Sequence, residues 1–278
     1  MKNFLKLLNF ELNRFMKLFI ILLITIAVIQ IAGTIILASS YMKRANNAVI
    51  QGGMTQHEFI EMYSTFSMMD VIHSLWFMGP IAIGVAALLF YVFFIWYRDW
   101  FARNTFIYRL LMLPTSRMNI FFSKATTIML TVLALVAYQI ILLNIEMTIT
   151  KWIVPKVYRQ DLRIVDLVAG SEYLSIVLPR GLAEFVIAYG LGLGFIVVIF
   201  TVILFERSYR LKGIIIGLLY AFIAFVLFGL PISLQILLFG NIYLYPMEVL
   251  IVQIVMWAII VGVSLIISRY LLKNKVTV

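Results

Sequence analysis

The chain has 278 residues, of which 64% are hydrophobic and only 12% charged, and its mean hydropathy is +1.08; a water-soluble domain of this size cannot hide so much apolar surface. The net charge of +10 raises nucleic acid as a partner, yet the basic residues sit on short segments between apolar blocks, where the positive-inside rule and anionic lipid account for them. There is no cysteine, which excludes a disulfide framework and any thiolate metal site.

Residues 1–17 have a helical period. Lys2, Lys6, Asn9, Asn13 and Lys17 form one stripe, and Phe4, Leu8, Leu12, Phe15 and Phe19 another. The pattern predicts an amphipathic helix lying in the cytoplasmic interface before the chain turns into the membrane, with a plain extension of the first span as the alternative. Six charge-free runs follow, at about 18–40, 75–97, 125–145, 185–205, 213–233 and 249–268. About 20 apolar residues in a helix cross the hydrocarbon core, and lipid requires every backbone amide to bond internally. The expected fold is therefore an all-α membrane protein with six spans in one domain, residues 1–278. The fifth charge-free run continues to Met247, too long for one span, so the span is expected to end near Pro231. Leu234–Met247 is then a re-entrant or interfacial segment. The pairs Gly190-xxx-Gly194 and Gly213-xxx-Gly217 allow close helix approach, either at a dimer seam or within the chain.

Two longer segments separate the spans on the outer side. In the first, Thr55 and Glu58 fit a capping box, predicting a helix from about Glu58 to Ser74 with Phe59, Met62, Phe66, Met69 and Trp76 on one face. In the second, Gly170-Ser171-Glu172 opens a short helix that Pro179 stops. With six spans, fifteen of the 22 basic residues but only three of the 12 acidic ones (Glu11, Asp99 and Glu206) share the side of the termini. That side is cytoplasmic by the positive-inside rule. The expected location is the inner (plasma) membrane of a bacterial cell, multi-pass, with both termini inside.

Catalytic chemistry finds little support in the sequence. His57 and His73 are too far apart for an i, i+4 metal pair, and no histidine shares the membrane with Ser264 and Ser268 for a Ser–His hydrolase. No catalytic, cofactor or metal residue is expected. Gln30, Gln139, Asn144 and Gln253 read as interhelical glue more readily than as substrate contacts. Glu146, Glu184 and Glu248 fall at the outer ends of spans, so no charge is expected deep inside one, and an ion relay has little to run on. Uphill work then needs ATP, but the chain has no GxxxxGK[ST] phosphate loop. Hydrolysis would occur on a partner, which would bind the ATP and magnesium.

The loop between the second and third spans, Arg98 to Lys124, is basic, rich in aromatics and interrupted by Pro114. Its composition suits a short helix parallel to the membrane, which either fills a pocket on a soluble partner or rests on lipid headgroups. The loop resembles the signature stretch of the type-II (ABC-2-like) ABC exporter permeases: an acidic residue, Gly-Thr, a Leu-rich segment, Pro-x-Ser-Arg and a later lysine. The matching residues are Asp99, Thr105, Leu110, Leu111, Pro114, Ser116, Arg117 and Lys124. Asn104 stands where the family has Gly, and Asp99 where Glu is commoner.

The resemblance implies a permease subunit of an exporter driven by a separate nucleotide-binding ATPase subunit. A second permease, identical or related, would complete the path. Coupling to the ATPase would fall to Trp100, Phe101, Arg103, Thr105, Tyr108, Arg109, Pro114, Ser116 and Arg117. Abundant Phe and Met favour an amphipathic or hydrophobic cargo such as a peptide, drug or lipid-like molecule. The alternative is a membrane immunity or sensor protein that binds an antimicrobial peptide without pumping it.

Overall fold

The computed structural model describes residues 2–101, 110, 112, 115–239 and 245–276. Six helices in it are long and apolar enough to cross a membrane: α1 (Lys2–Ile50), α4 (Leu75–Phe101), α5 (Arg117–Ile153), α8 (Leu182–Tyr209), α9 (Leu211–Phe239) and α10 (Pro246–Asn274). The short helices α2 (Gln56–Tyr63), α3 (Met68–Ile72), α6 (Ile164–Gly170) and α7 (Glu172–Val177) lie in the two longer connections. So do two-residue strands β1 (Phe66–Ser67) and β2 (Arg159–Gln160). The chain is thus an all-α multi-pass membrane protein.

Several boundaries depart from the sequence expectation. The first 17 residues are not a separate interfacial helix, because α1 runs unbroken for 49 residues. At 1.5 Å per residue that is about 73 Å, more than twice the hydrocarbon core. Of the apolar stripe, Phe15 and Phe19 are buried and Phe4, Leu8 and Leu12 partly so, while Leu7 beside it is buried too. The re-entrant segment is also absent among the described residues. Helix α9 continues through Pro231 to Phe239, and residues 240–244 lie outside the described set. Neighbouring helices can satisfy the carbonyl that a proline frees in a membrane helix, so Pro231 does not stop it.

The described residues divide into two compact units. One comprises Asn13–Leu88 and Leu130–Phe185. Its core gathers Tyr41, Phe59, Phe66, Phe77, Tyr158 and Leu167, with aliphatic residues of α1, α3 and α5. The rings of Phe59 and Tyr158 meet edge-on at 6.0 Å. Parallel pairing of Phe66 with Arg159 and Ser67 with Gln160 joins the two connections. The expected capping box of Thr55 and Glu58 is present, and Ser67 and Asp70 form a second one at the start of α3. Ser171 caps α7 as expected.

The long helix expected over 58–74 is instead broken. Ser64 adopts φ 58°, a positive value that ends a helix of L-residues, and the Tyr41 hydroxyl donates to its carbonyl at 2.8 Å. Deeper in this unit Gln30 and Gln139 exchange amide hydrogen bonds at 3.4 and 3.3 Å, and Gln30 also donates to the Phe77 carbonyl. Their role as glue between helices is met here. Asn144 is exposed, and its amide donates within its own helix, to the Ile140 carbonyl.

The other unit comprises Met1–Leu12, Leu89–Met129 and Val186–Val278. Trp257 centres one part of its core, with the rings of Phe195 and Phe228 each 4.9 Å away. Beside it, buried hydroxyls link three helices: Thr201 shares a hydrogen bond with Ser268 at 2.9 Å, and Tyr220 with Ser264. Three of the four paired glycines serve internal packing here. A Cβ at Gly213 would overlap the Phe205 carbonyl, one at Gly217 would press on Val202, and one at Gly194 would meet the Trp257 indole. Gly190 faces open space.

Candidate functional site

The candidate site is the base of the segment between α4 and α5, and all its described parts belong to the second unit. Its centre is a buried network of four charges. Lys124, two turns into α5, donates to Glu11 at 2.6 Å, to the Ile95 carbonyl at 3.0 Å and to Asp99. Arg98 donates to the other oxygen of Glu11 at 2.6 Å. Lys124 and Asp99 are 0% exposed and Glu11 2%. Two cations and two anions balance, which is what makes burial tolerable: a lone charge there would cost several kcal/mol.

Local sequence explains how the groups meet. Glu11 lies four residues after Leu7 and four before Phe15, so the helical period puts it in the middle of a buried apolar stripe. Asp99 and Lys124 flank the loop, Asp99 in the last turn of α4 and Lys124 near the start of α5. An aromatic wall closes the site. Phe200 meets Trp96 and Phe121 edge-on at 5.4 and 5.3 Å, and the Lys124 ammonium stands 5.4 Å from the Trp96 ring. Excluding water strengthens the ion pairs.

Two further anchors hold the ends of the segment. At its start, the Arg207 guanidinium stacks against Tyr97, Trp100 and Phe101 at 4.8, 5.4 and 4.8 Å, and the Tyr97 hydroxyl donates to Glu206. Each ring adds a cation–π attraction of about 0.5–1 kcal/mol. At its finish, Arg117 donates to the carbonyls of Leu272 and, at 2.8 Å, Val276. A cation at the negative end of a helix is well placed.

The sequence-predicted coupling residues divide accordingly. Trp100 and Phe101 end α4, with Trp100 partly buried and Phe101 75% exposed. Ser116 is exposed and Arg117 begins α5. Arg103, Thr105, Tyr108, Arg109 and Pro114 lie outside the described residues. Two members of the loop signature, Asp99 and Lys124, are joined by an ion pair.

The sequence placed no charge deep inside a span, but it did not foresee that Glu11, Asp99 and Lys124 are buried within the fold. Glu146 is likewise fully buried within the fold, and α5 continues seven residues beyond it. Sequence reasoning missed Glu11 and Arg98 as members of the site. The available signal was an acid on the apolar face of an otherwise basic N-terminal helix. Among the described residues no three His, Cys, Asp or Glu side chains converge on a metal position. No protein-family profile, curated protein or solved structure matches the chain.

Proposed function

We propose that this chain is the permease subunit of an ATP-driven exporter, gripped from the cytoplasm by a separate ATPase through residues 100–117. The supporting observation is the Glu11–Arg98–Asp99–Lys124 network. It ties both ends of that segment and the N-terminal part of α1 into one body. A loop rooted in mobile helix ends would absorb a push. One whose ends are cross-linked by buried charges passes it on, which is the property a force-transmitting element needs. The loop signature adds a resemblance to type-II ABC exporter permeases, and the absence of a phosphate loop from the sequence assigns hydrolysis to the partner.

In this reading ATP-driven closure of two motor subunits pushes the segments of two paired permeases. The spans then shift to release an amphipathic or hydrophobic cargo on the far side. Co-purification tests the reading. A nucleotide-binding ATPase should accompany the full chain, and Tyr108→Ala with Arg109→Glu should abolish the association. Stable binding by that double variant overturns the assignment of the segment. ATP hydrolysis by the isolated chain overturns the division of labour. Tight binding of an antimicrobial peptide with no ATPase partner would select the immunity reading.

A further inference from the structure

Glu146 has no place in the site above. It belongs to the other compact unit, in α5, where it is 0% exposed and neither carboxylate oxygen has a hydrogen-bond partner. Its backbone is occupied, since the Thr150 hydroxyl donates to the Glu146 carbonyl at 2.9 Å. One helical turn on, Thr150 lines a small groove with Met68, Met147, Lys151, Arg159 and Asp161 among its walls. Its volume of about 10 Å³ is close to the least that admits one water.

The ionisable side chains on the elements around this end of the helix are bonded elsewhere, exposed or packed in the core. Arg159 gives Nε and Nη2 to Asp161 and Nη1 to the carbonyls of Lys151 and Val154. Asp70 accepts the Ser67 amide, and the Tyr41 hydroxyl is donated to Ser64. Lys151 and Arg44 are exposed and Tyr158 is packed in the aromatic core. None of them bonds the Glu146 carboxyl.

A carboxylate buried with no counter-charge costs several kcal/mol, and the smallest ligand that removes the cost is a proton. We propose that Glu146 is a proton-binding site whose access to solvent is controlled by the β1–β2 pairing. While the ladder is closed, the O–H proton stays on the carboxyl. When the ladder parts, the groove floods, the O–H bond breaks toward a groove water, and the carboxylate that remains favours the hydrated, open form. The proposal does not depend on the exporter reading.

Difference infrared spectroscopy of the full chain in lipid vesicles tests this without any transport assay. The native-minus-E146Q spectrum should contain a protonated-carboxyl carbonyl band that shifts on ¹³C-glutamate labelling. The band should persist from mildly acidic to mildly alkaline buffer in the native chain. In Arg159→Ala, which loses the side-chain bonds beside the ladder, the same band should be lost in the alkaline buffer. E146Q, a neutral isostere, should leave limited proteolysis of residues 51–74 unchanged. Absence of the band in the native chain, its retention in alkaline Arg159→Ala, or faster cleavage of E146Q each overturns the proposal.

Discussion

Replacing Lys124 by Met removes the ammonium shared by Glu11 and Asp99 while keeping most of the side chain's apolar bulk. Arg98 still holds one Glu11 oxygen, so the main loss falls on Asp99, which is fully buried and loses its lysine. Breaking a buried pair by removing one partner costs about 3–5 kcal/mol, whereas replacing both partners by apolar groups is often neutral. Lys124→Met should therefore cost about 3–5 kcal/mol, and Lys124→Met with Asp99→Leu should recover at least about 2 kcal/mol of it. Equilibrium unfolding in mixed detergent micelles, followed by tryptophan fluorescence, gives both values from the transition midpoints. The non-additive part is the coupling between the two side chains. If the costs of Lys124→Met and of Asp99→Leu, each measured alone, simply add in the double variant, the charges act independently and the network does not clamp the segment.

Three other outcomes follow from the geometry. Gln30→Leu should cost about 0.6–1.7 kcal/mol in the same assay by stranding Gln139, and adding Gln139→Leu should recover most of that. Gly194→Ala should destabilise by about 1–3 kcal/mol because the new methyl meets the Trp257 indole, whereas Gly190→Ala, with open space around it, should be neutral or slightly stabilising. The third outcome concerns pH and the outer connections. Hydrogen bonding by Arg159 holds the Asp161 carboxyl below its ordinary range, the Thr55 amide and hydroxyl do so for Glu58, and Arg163 for Asp166. Lowered folded-state values mean that their support is present above the ordinary carboxylate range and is lost as pH falls through the folded values. Proteolysis of residues 51–74 and 154–181 should therefore accelerate below about pH 4, and protection that is unchanged there would refute the attribution.

The six spans could be read from the sequence because each run is as long as the bilayer core is thick and free of charge. Their ends could not, because a helix continues into polar surroundings wherever side chains cap or pair it. That is why α1 carries Lys2 to Lys17 without a break and α5 runs past Glu146 to Ile153. Pro231 misled for a related reason: the rule that proline ends a helix is weaker inside a bundle. The helix expected from Glu58 to Ser74 failed at Ser64, where a long-range bond from Tyr41 outweighs a local apolar period. Asp99 and Lys124, which pair, both stand in the stretch between the second and third spans that the sequence singled out. What connects Lys124 to Glu11 lies more than a hundred residues away, and no spacing rule spans that distance.

The order in which these groups leave the ribosome has a consequence for biogenesis. The unit formed by Asn13–Leu88 and Leu130–Phe185 is completely synthesised once Phe185 has been made. The other cannot close until Val276 is available to Arg117, about 90 residues later. At ordinary elongation rates that delay is on the order of 5–20 s. Throughout it, a nascent chain already inserted by the translocon carries Arg117 and the surfaces of α4 and α5 without their final neighbours, which makes this interval the natural point for a membrane chaperone or a quality-control protease to act.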